Sequence, residues 1–226
     1  MIVIANYKRN FIFENLLNTK KYVKEKIVVI DNQSDNCDDI TEFIKKNKIN
    51  ALAFTSDKNW EWSAWWDAYK RFPNEDRYMF IHDSMFVTQP CYLFYRGIND
   101  NTVSIFDTRN PGWHMSSYRL QNSRLSLEFL KKFKYDKADF RLVFGSMFCC
   151  NGKILKDMNS RGLMNMSANN REEAEASERL LGIYFKKFNI KVNVYNKNRQ
   201  IKFSHFNKFN VNKDCPYVKF RPRRSK

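Results

Sequence analysis

Short apolar runs alternate with longer amphipathic segments through the amino-terminal half of the chain. The apolar runs predict strands over residues 2–5, 27–30 and 51–54 and from residue 78. Between them, apolar residues recur at helical spacing and predict helices over residues 11–24, 41–48 and 57–72. Alternating strands and helices are typical of a mostly parallel sheet that is flanked by helices. The pattern therefore predicts an α/β fold.

The pattern is looser after residue 90. It predicts strands over residues 103–106 and 192–195, and helices over 125–133, from 153 and over 171–188. Pro111 and Gly112 interrupt residues 108–118, which are therefore predicted to form a loop. The end of the chain after Lys213 contains two prolines and is expected to pack loosely or not at all.

Four aromatic residues share one face of the predicted helix over residues 57–72. They recur at positions i, i+3, i+4 and i+7: Trp62, Trp65, Trp66 and Tyr69. Aromatic side chains at this spacing are most simply core residues, although stacking against a ligand is the alternative.

The chain is strongly basic, with a formal net charge of +16. Clustered Lys and Arg attract phosphate groups, which raises the possibility of a nucleic-acid partner. The basic residues are mostly dispersed, however, with one dense cluster at the carboxyl terminus, so nucleic-acid binding is not the favoured interpretation. That cluster leaves contact with an anionic membrane surface open, and the sequence does not indicate an oligomeric state.

The five cysteines have no C-x-x-C spacing and are expected to be reduced, mostly packed thiols. The chain begins without the apolar stretch of a signal peptide, and no run of residues reaches the length of a membrane span. We therefore expect a soluble, cytoplasmic protein, with peripheral membrane contact left open.

Three polar residues, His82, Asp83 and Ser84, interrupt the apolar run over residues 78–87. Ligands of α/β proteins bind at the carboxyl edge of the sheet, where these side chains are expected to lie. A carboxylate suits hard divalent cations and an imidazole can complete the shell, so the triplet indicates a metal site. Alternatively, Asp83 caps a turn at the end of the strand.

Other kinds of site lose support. None of the six glycines forms a G-x-G-x-x-G or a G-x-x-x-x-G-K-[ST] motif, which disfavours dinucleotide-binding and P-loop sites. With three histidines in the whole chain, a multi-histidine zinc site is not favoured either. The pattern points to carboxylate chemistry.

Four ordered segments resemble the GT-A glycosyltransferases, particularly those of the family 2 type. They are I-V-I-A-N-Y-K-R-N at 2–10, I-V-V-I-D-N-Q-S-D at 27–35, Y-M-F-I-H-D-S-M at 78–85 and E-E-A-E-A-S-E-R at 172–179. The third segment occupies the place of the family's D-x-D motif, and the fourth resembles the acidic stretch that opens the acceptor-side helix. The resemblance implies the GT-A fold, a Rossmann-like, mostly parallel central sheet flanked by helices.

The resemblance also implies how the chain is organised. A single GT-A-like catalytic domain is expected over residues 1–212, followed by a basic tail over 213–226. The donor-binding half is expected over about residues 1–90 and the acceptor-side half over about 91–212.

Site residues follow from the same resemblance. The implied donor-binding residues are Asn6, Tyr7, Arg9, Asp31, Asn32, Ser34, Trp60, Asp83 and Ser84. A Mn²⁺ or Mg²⁺ ion is implied, with Asp83, His82 and His205 as ligands. The implied acceptor residues are Trp113, His114, Gly145 and Ser146. Glu173 matches the catalytic base, with Glu172, Glu175 and Glu178 as nearby alternatives.

The function so implied is metal-assisted transfer of a sugar from a nucleoside-diphosphate sugar to a glycan, protein or lipid acceptor. The transferred group would be a hexosyl or deoxyhexosyl unit, and inversion is expected because a carboxylate base suits direct displacement. Two alternatives remain. The chain could be a basic, non-enzymatic module that binds nucleic acid or another anionic polymer. It could also be a degenerate GT-A protein without catalysis, because the D-x-D motif lacks its second aspartate.

Overall fold

The structure is a computed structural model that describes residues 1–7, 11–32, 37–57, 60–105, 123–134, 140–194 and 217–219. The strands are β1 Ile2–Asn6, β2 Ile27–Asn32, β3 Ala51–Ser56, β4 Arg77–His82, β5 Met85–Val87, β6 Thr102–Ile105, β7 Phe148–Asn151, β8 Lys191–Val194 and β9 Tyr217–Lys219. The α-helices are α1 Ile12–Tyr22, α2 Cys37–Lys46, α3 Glu61–Arg71, α4 Gln89–Arg96, α5 Arg124–Phe133, α6 Gly152–Ser160 and α7 Arg171–Lys187.

Seven of the described strands form one sheet in the order β3-β2-β1-β4-β7-β6-β8. Strands β1 to β4 are mutually parallel, whereas β7 runs antiparallel between β4 and β6. Strand β8 is parallel to β6. The predicted α/β fold with a mostly parallel central sheet is confirmed, and both predicted halves of the chain contribute strands to it.

Side-chain alternation along the strands divides the core between the two faces of this sheet. One face buries Val3, Val28 and Phe80 against α3 and α7, together with all four aromatic residues of α3. The other face buries Ile2, Ile4 and Ile27 against α1 and α2. The prediction that the aromatic face of α3 belongs to the core is confirmed, since Trp62, Trp65, Trp66 and Tyr69 are all buried.

The pairing register brings the polar ends of the parallel strands together. Asn6 at the end of β1 is the register partner of Asp31 in β2, and Ala5 is the partner of His82 at the end of β4. The carboxyl edge of the sheet therefore carries a row of polar side chains.

Helix α4 and the tail strand β9 were not predicted from the sequence. Helix α4 follows Thr88, whose hydroxyl accepts a hydrogen bond from the Cys91 amide, and it has a proline in its first turn. It is only eight residues long, too short for helical periodicity to separate it from a strand. The tail was expected to pack loosely, yet Tyr217–Lys219 pairs with β5 in an antiparallel two-stranded sheet.

The cysteines of the described segments are free thiols, and Cys91, Cys149 and Cys150 are buried as expected. Burial raises the pKa of the Cys91 thiol to about 12. Within the same segments, every helix is too short or too polar to cross a lipid bilayer.

Candidate functional site

A cavity of about 320 Å³ opens at the carboxyl edge of the sheet, beside the ends of β1, β2 and β4. Its lining residues are Ala5, Tyr7, Asn32, Trp60, Glu61, His82, Asp83 and Asn169. Five of the predicted site residues therefore meet at one cavity: Tyr7, Asn32, Trp60, His82 and Asp83. The adjacent ends of parallel strands are the expected ligand site of an open α/β sheet.

At the end of β2, the structure separates two neighbouring polar residues that the sequence grouped together. Asp31 is fully buried and does not line the cavity; its Oδ1 accepts a hydrogen bond of 2.5 Å from Nδ2 of Asn6. Because side chains alternate along a strand, Asn32 faces the other way and lines the cavity. Its side chain is 2% exposed, and none of the described residues donates a hydrogen bond to its Oδ1.

A buried amide oxygen without a donor is costly, because desolvation of the oxygen is not offset by a hydrogen bond. A ligand N–H or O–H that enters the cavity would supply the missing donor. Asn32 is therefore the stronger candidate for ligand recognition, and Asp31 holds the ends of β1 and β2 together through Asn6.

Asp83 is buried and lines the cavity. Its backbone amide donates to the carbonyl oxygen of Ala5 at 2.9 Å. Asn15 on α1 holds the same turn, because its Nδ2 donates to the carbonyl oxygens of Asp83 at 2.6 Å and Met85 at 2.8 Å. Asn15 is a fully buried polar residue on the apolar face of α1, and that exception to the pattern was a signal that sequence reasoning missed.

His82 lies between the cavity and the second half of the chain. Its Nε2 is 2.7 Å from the carbonyl oxygen of Gly145 and 3.4 Å from Oε1 of Glu61. The imidazole also stacks on Trp65, with ring centroids 6.2 Å apart. Since both neighbours of Nε2 are acceptors, this nitrogen carries the proton and donates to Gly145.

The donor set for the implied Mn²⁺ or Mg²⁺ ion is small. In the described segments there is no group of three or more His, Cys, Asp or Glu side chains that could hold a metal. Nε2 of His82 is engaged with Gly145, and Asp83 supplies the carboxylate at the predicted junction that lines the cavity. One carboxylate fits an ion that takes its remaining ligands from a bound diphosphate and water, as Mg²⁺ commonly does.

The glutamates predicted as catalytic do not line the cavity. Glu173 is buried in the first turn of α7, where its Oε2 accepts from the Asn169 amide at 2.7 Å and from Arg124 at 3.1 Å. Glu172 is exposed, and Glu175 pairs with Arg171 at 3.1 Å. Glu173 thus fixes the position of Asn169, which does line the cavity, and its role as a base remains a prediction.

Glu61 and Asn169 are cavity residues that sequence reasoning missed. Glu61 opens α3 directly after Trp60, and helices that follow parallel strands begin at the carboxyl edge of the sheet. Trp60 itself has φ +73° and ψ +155°, a region that is rare for residues other than glycine. Backbone strain of this kind is concentrated at functional sites.

The remaining predicted residues fall into two groups. Ser84 follows the cavity residue Asp83 in sequence, and Gly145 contacts the cavity residue His82, but neither lines the cavity. The backbone at Gly145 has φ +59°. Ser146 does not line the cavity either, and its hydroxyl group forms a hydrogen bond of 2.8 Å with that of Ser177. Arg9, Ser34, Trp113, His114 and His205 lie outside the described residues.

Comparison with known proteins shows likeness in structure but not in sequence. No family model matches the chain, and no curated protein does. The fold is similar to that of Staphylococcus aureus TarS, residues 1–349, in complex with UDP-GlcNAc, with a TM-score of 0.53 and 15% identity over 98% of this chain and 58% of that one. The same fragment in complex with UDP gives a TM-score of 0.52. The chain thus spans less than two thirds of the TarS fragment.

A second similar structure is 4-diphosphocytidyl-2C-methyl-D-erythritol synthase from Anaerococcus prevotii. Its TM-score is 0.51 at 13% identity, over 86% of this chain and 85% of that one. At such low identity the likeness concerns the fold. The protein has the GT-A type of α/β fold, which it shares with TarS and the erythritol synthase.

Proposed function

We propose that the protein transfers a sugar from a nucleoside-diphosphate sugar to an acceptor hydroxyl. The observation that carries this proposal is the pairing, on one cavity, of a buried amide acceptor on β2 with a carboxylate that follows β4. Asn32 and Asp83 provide these groups at the ends of the two parallel strands that flank β1. TarS, which has a similar fold, was solved in complex with UDP and with UDP-GlcNAc, and this supports the proposal.

Four of the cavity residues suit a part of such a donor. Asn32 would accept a hydrogen bond from the base or ribose, and the aromatic rings of Tyr7 and Trp60 offer faces on which a base can stack. Asp83 would hold the diphosphate end through a shared Mg²⁺ or Mn²⁺ ion. When bound, that cation neutralises charge on the departing diphosphate.

The proposed reaction is a single displacement. The acceptor oxygen forms a bond to the anomeric carbon while the bond from that carbon to the diphosphate oxygen breaks, and the electron pair leaves with the diphosphate. A carboxylate takes the acceptor proton. The anomeric configuration is inverted because the acceptor oxygen attacks the face opposite the departing diphosphate. Glu61 lines the cavity, whereas Glu173 lies behind Asn169. Comparing the Glu61→Gln and Glu173→Gln variants would identify the base, because only its loss abolishes turnover while donor binding persists.

Nucleotidyl transfer is the second candidate, since the erythritol synthase shares the fold over most of both chains. An enzyme of that class binds a nucleoside triphosphate, whose phosphates are commonly cradled by backbone amides of glycine-rich loops. The first glycine of this chain is Gly97, so the donor half contains none. That favours glycosyl transfer.

The test is calorimetric titration of UDP, CDP, GDP and ADP with and without Mn²⁺, followed by mass spectrometry of products from the matching nucleotide sugars. The Asp83→Asn variant should lose the Mn²⁺-dependent part of the affinity. Asp76→Asn is a matched control, because Asp76 precedes β4 at the opposite edge of the sheet and is exposed. Binding of oligonucleotides but no nucleotide sugar, with a steep salt dependence, would instead support the nucleic-acid alternative. Products formed from a triphosphate and a sugar phosphate would support nucleotidyl transfer.

A further inference from the structure

One turn, residues 143–146, connects the cavity to helix α7. On the cavity side, Nε2 of His82 donates to the carbonyl oxygen of Gly145 at 2.7 Å, and Nε1 of Trp65 donates to that of Ser146 at 2.9 Å. On the α7 side, the Gly145 amide donates to Oε1 of Glu178 at 2.7 Å. The 143–146 turn is therefore held by hydrogen bonds at both the amide and the carbonyl group of Gly145.

The contact between His82 and Gly145 requires a glycine. A Cβ on Gly145 would lie 2.6 Å from Cε1 of His82 and 3.0 Å from its Nε2. The backbone at Gly145 also has φ +59°, a conformation that residues with a Cβ rarely adopt. The close contact with His82 and the backbone conformation thus both favour glycine at position 145.

Helix α7 in turn supplies one wall of the cavity. Asn169, just before α7, lines the cavity and is fixed by Glu173 in the first turn of that helix. The Val143 amide donates to the Glu178 carbonyl oxygen at 3.0 Å, so the 143–146 turn is also hydrogen-bonded to the main chain of α7. A displacement of this turn would move Asn169 and Glu173 relative to the ends of β1 and β2.

We infer that His82 is a positioning residue, which fixes α7 against the nucleotide cavity through the hydrogen bond from its Nε2 to Gly145. Nε2 already donates a hydrogen bond to the Gly145 carbonyl, and Glu61 lies within 3.4 Å of the same nitrogen, so Nε2 is not available to a metal ion. Loss of His82 should leave nucleotide binding by the β1 and β2 ends intact while it disturbs the geometry in which transfer occurs.

The inference rests on the proposed function for its kinetic and nucleotide-binding readouts. His82→Phe keeps a ring beside Trp65 but removes the donor, whereas His82→Gln places an amide donor close to the position of Nε2. We expect His82→Phe to lower kcat roughly 100-fold, because small misplacements of reacting groups cost about that much. The Kd for the nucleoside diphosphate with Mn²⁺ should stay within about twofold. His82→Gln should restore most of the lost turnover.

Hydrogen–deuterium exchange supplies a readout that does not depend on activity. In His82→Phe, amides of residues 143–146 and 169–174 should exchange faster than in the parent protein, and in His82→Gln they should be close to it. Gly145→Ala should resemble His82→Phe, because its Cβ would displace the imidazole. It therefore provides a second variant if His82→Phe folds poorly.

The outcomes separate the two ideas. A parent protein that uses no nucleotide sugar would contradict the proposed function, while the exchange pattern would still decide the role of His82. Unchanged exchange at residues 169–174 in both His82→Phe and Gly145→Ala would overturn the inference. So would a loss of Mn²⁺-dependent nucleotide binding in His82→Phe as large as that in Asp83→Asn, since His82 would then be a ligand.

Discussion

Nδ2 of Asn15 donates a hydrogen bond of 2.6 Å to the main-chain carbonyl oxygen of Asp83, across sixty-eight positions of sequence. Helix α1 thereby fixes the turn that carries the cavity carboxylate. Without the Asn15 side chain, the buried carbonyl oxygens of Asp83 and Met85 would lose the hydrogen bonds that its Nδ2 donates.

The first prediction concerns this clamp. Asn15→Leu should lower the free energy of unfolding by about 1–3 kcal/mol, the usual penalty for stranding buried polar groups. Urea denaturation measures the change. Leu17→Ala, at a half-exposed position of the same helix, should change stability by less than about 0.5 kcal/mol. Equal effects of the two substitutions would show that the clamp contributes nothing.

Asn32 and Asp31 should respond in opposite ways to substitution. Asn32→Ala removes a buried oxygen that has no donor among the described residues, so the unliganded protein should be as stable as the parent or more stable. Nucleoside-diphosphate affinity should fall at least roughly tenfold if a ligand group bonds to this amide. Asp31→Ala should instead destabilise the protein, because it removes the carboxylate that accepts a hydrogen bond from Asn6.

Thermal unfolding and calorimetric titration of both variants measure these effects. The interpretation fails if Asn32→Ala binds nucleotide like the parent protein while Asp31→Ala retains full stability and loses binding.

Helix propensity and steric crowding have opposing effects on the stability of a Gly182→Ala variant in α7. Alanine is favoured over glycine in a helix by about 1 kcal/mol. A Cβ at this position, however, would lie 1.9 Å from the carbonyl oxygen of Arg141, and neither backbone can yield easily. Overpacking of this kind costs about 1–3 kcal/mol or more, so Gly182→Ala should be destabilising.

Gly97→Ala is the matched control, since its nearest neighbour would be a carbonyl oxygen at 3.6 Å and its φ is −83°. It should be neutral or stabilise the protein by up to about 1 kcal/mol. Urea midpoints of the two variants compare the effects directly, and a stabilising Gly182→Ala would contradict the close packing of α7 on residue 141.

Asp157 should contribute a pH-dependent term to stability. A hydrogen bond from Arg161 lowers the pKa of its carboxyl group, partly opposed by burial and aided by the Tyr184 hydroxyl. A carboxyl with a lowered pKa in the folded state stabilises the protein above its unfolded pKa, near about 4. That contribution is lost as the pH falls through the folded pKa.

Asp157→Asn should therefore lose less stability than the parent protein between pH 6 and about pH 3, where the parent carboxyl takes up a proton. Arg161→Gln should reproduce part of the change, because Arg161 is the largest cause of the shift. Urea midpoints across this pH range measure both variants, and parallel curves for parent and Asp157→Asn would refute the assignment.

The tail and the acidic helix show where sequence patterns stop being informative. Residues 217–219 have no local feature that indicates pairing with β5, because the partner lies more than one hundred positions away. Glu173 fits the family pattern of a base, yet the same residue type in a first helical turn also satisfies backbone amides, as it does with Asn169. Local sequence alone does not separate these roles.

The sequence by itself determined the strands of the parallel half, the buried aromatic face of α3 and the polar residues where β1, β2 and β4 end. Those features depend on period and hydrophobicity, which are local properties of a chain. Tertiary structure alone decided that Asn32 rather than Asp31 faces the cavity, that Glu61 and Asn169 join it, and that His82 reaches Gly145. Strand register and packing between distant segments set those contacts, and both depend on pairings that only the folded chain makes.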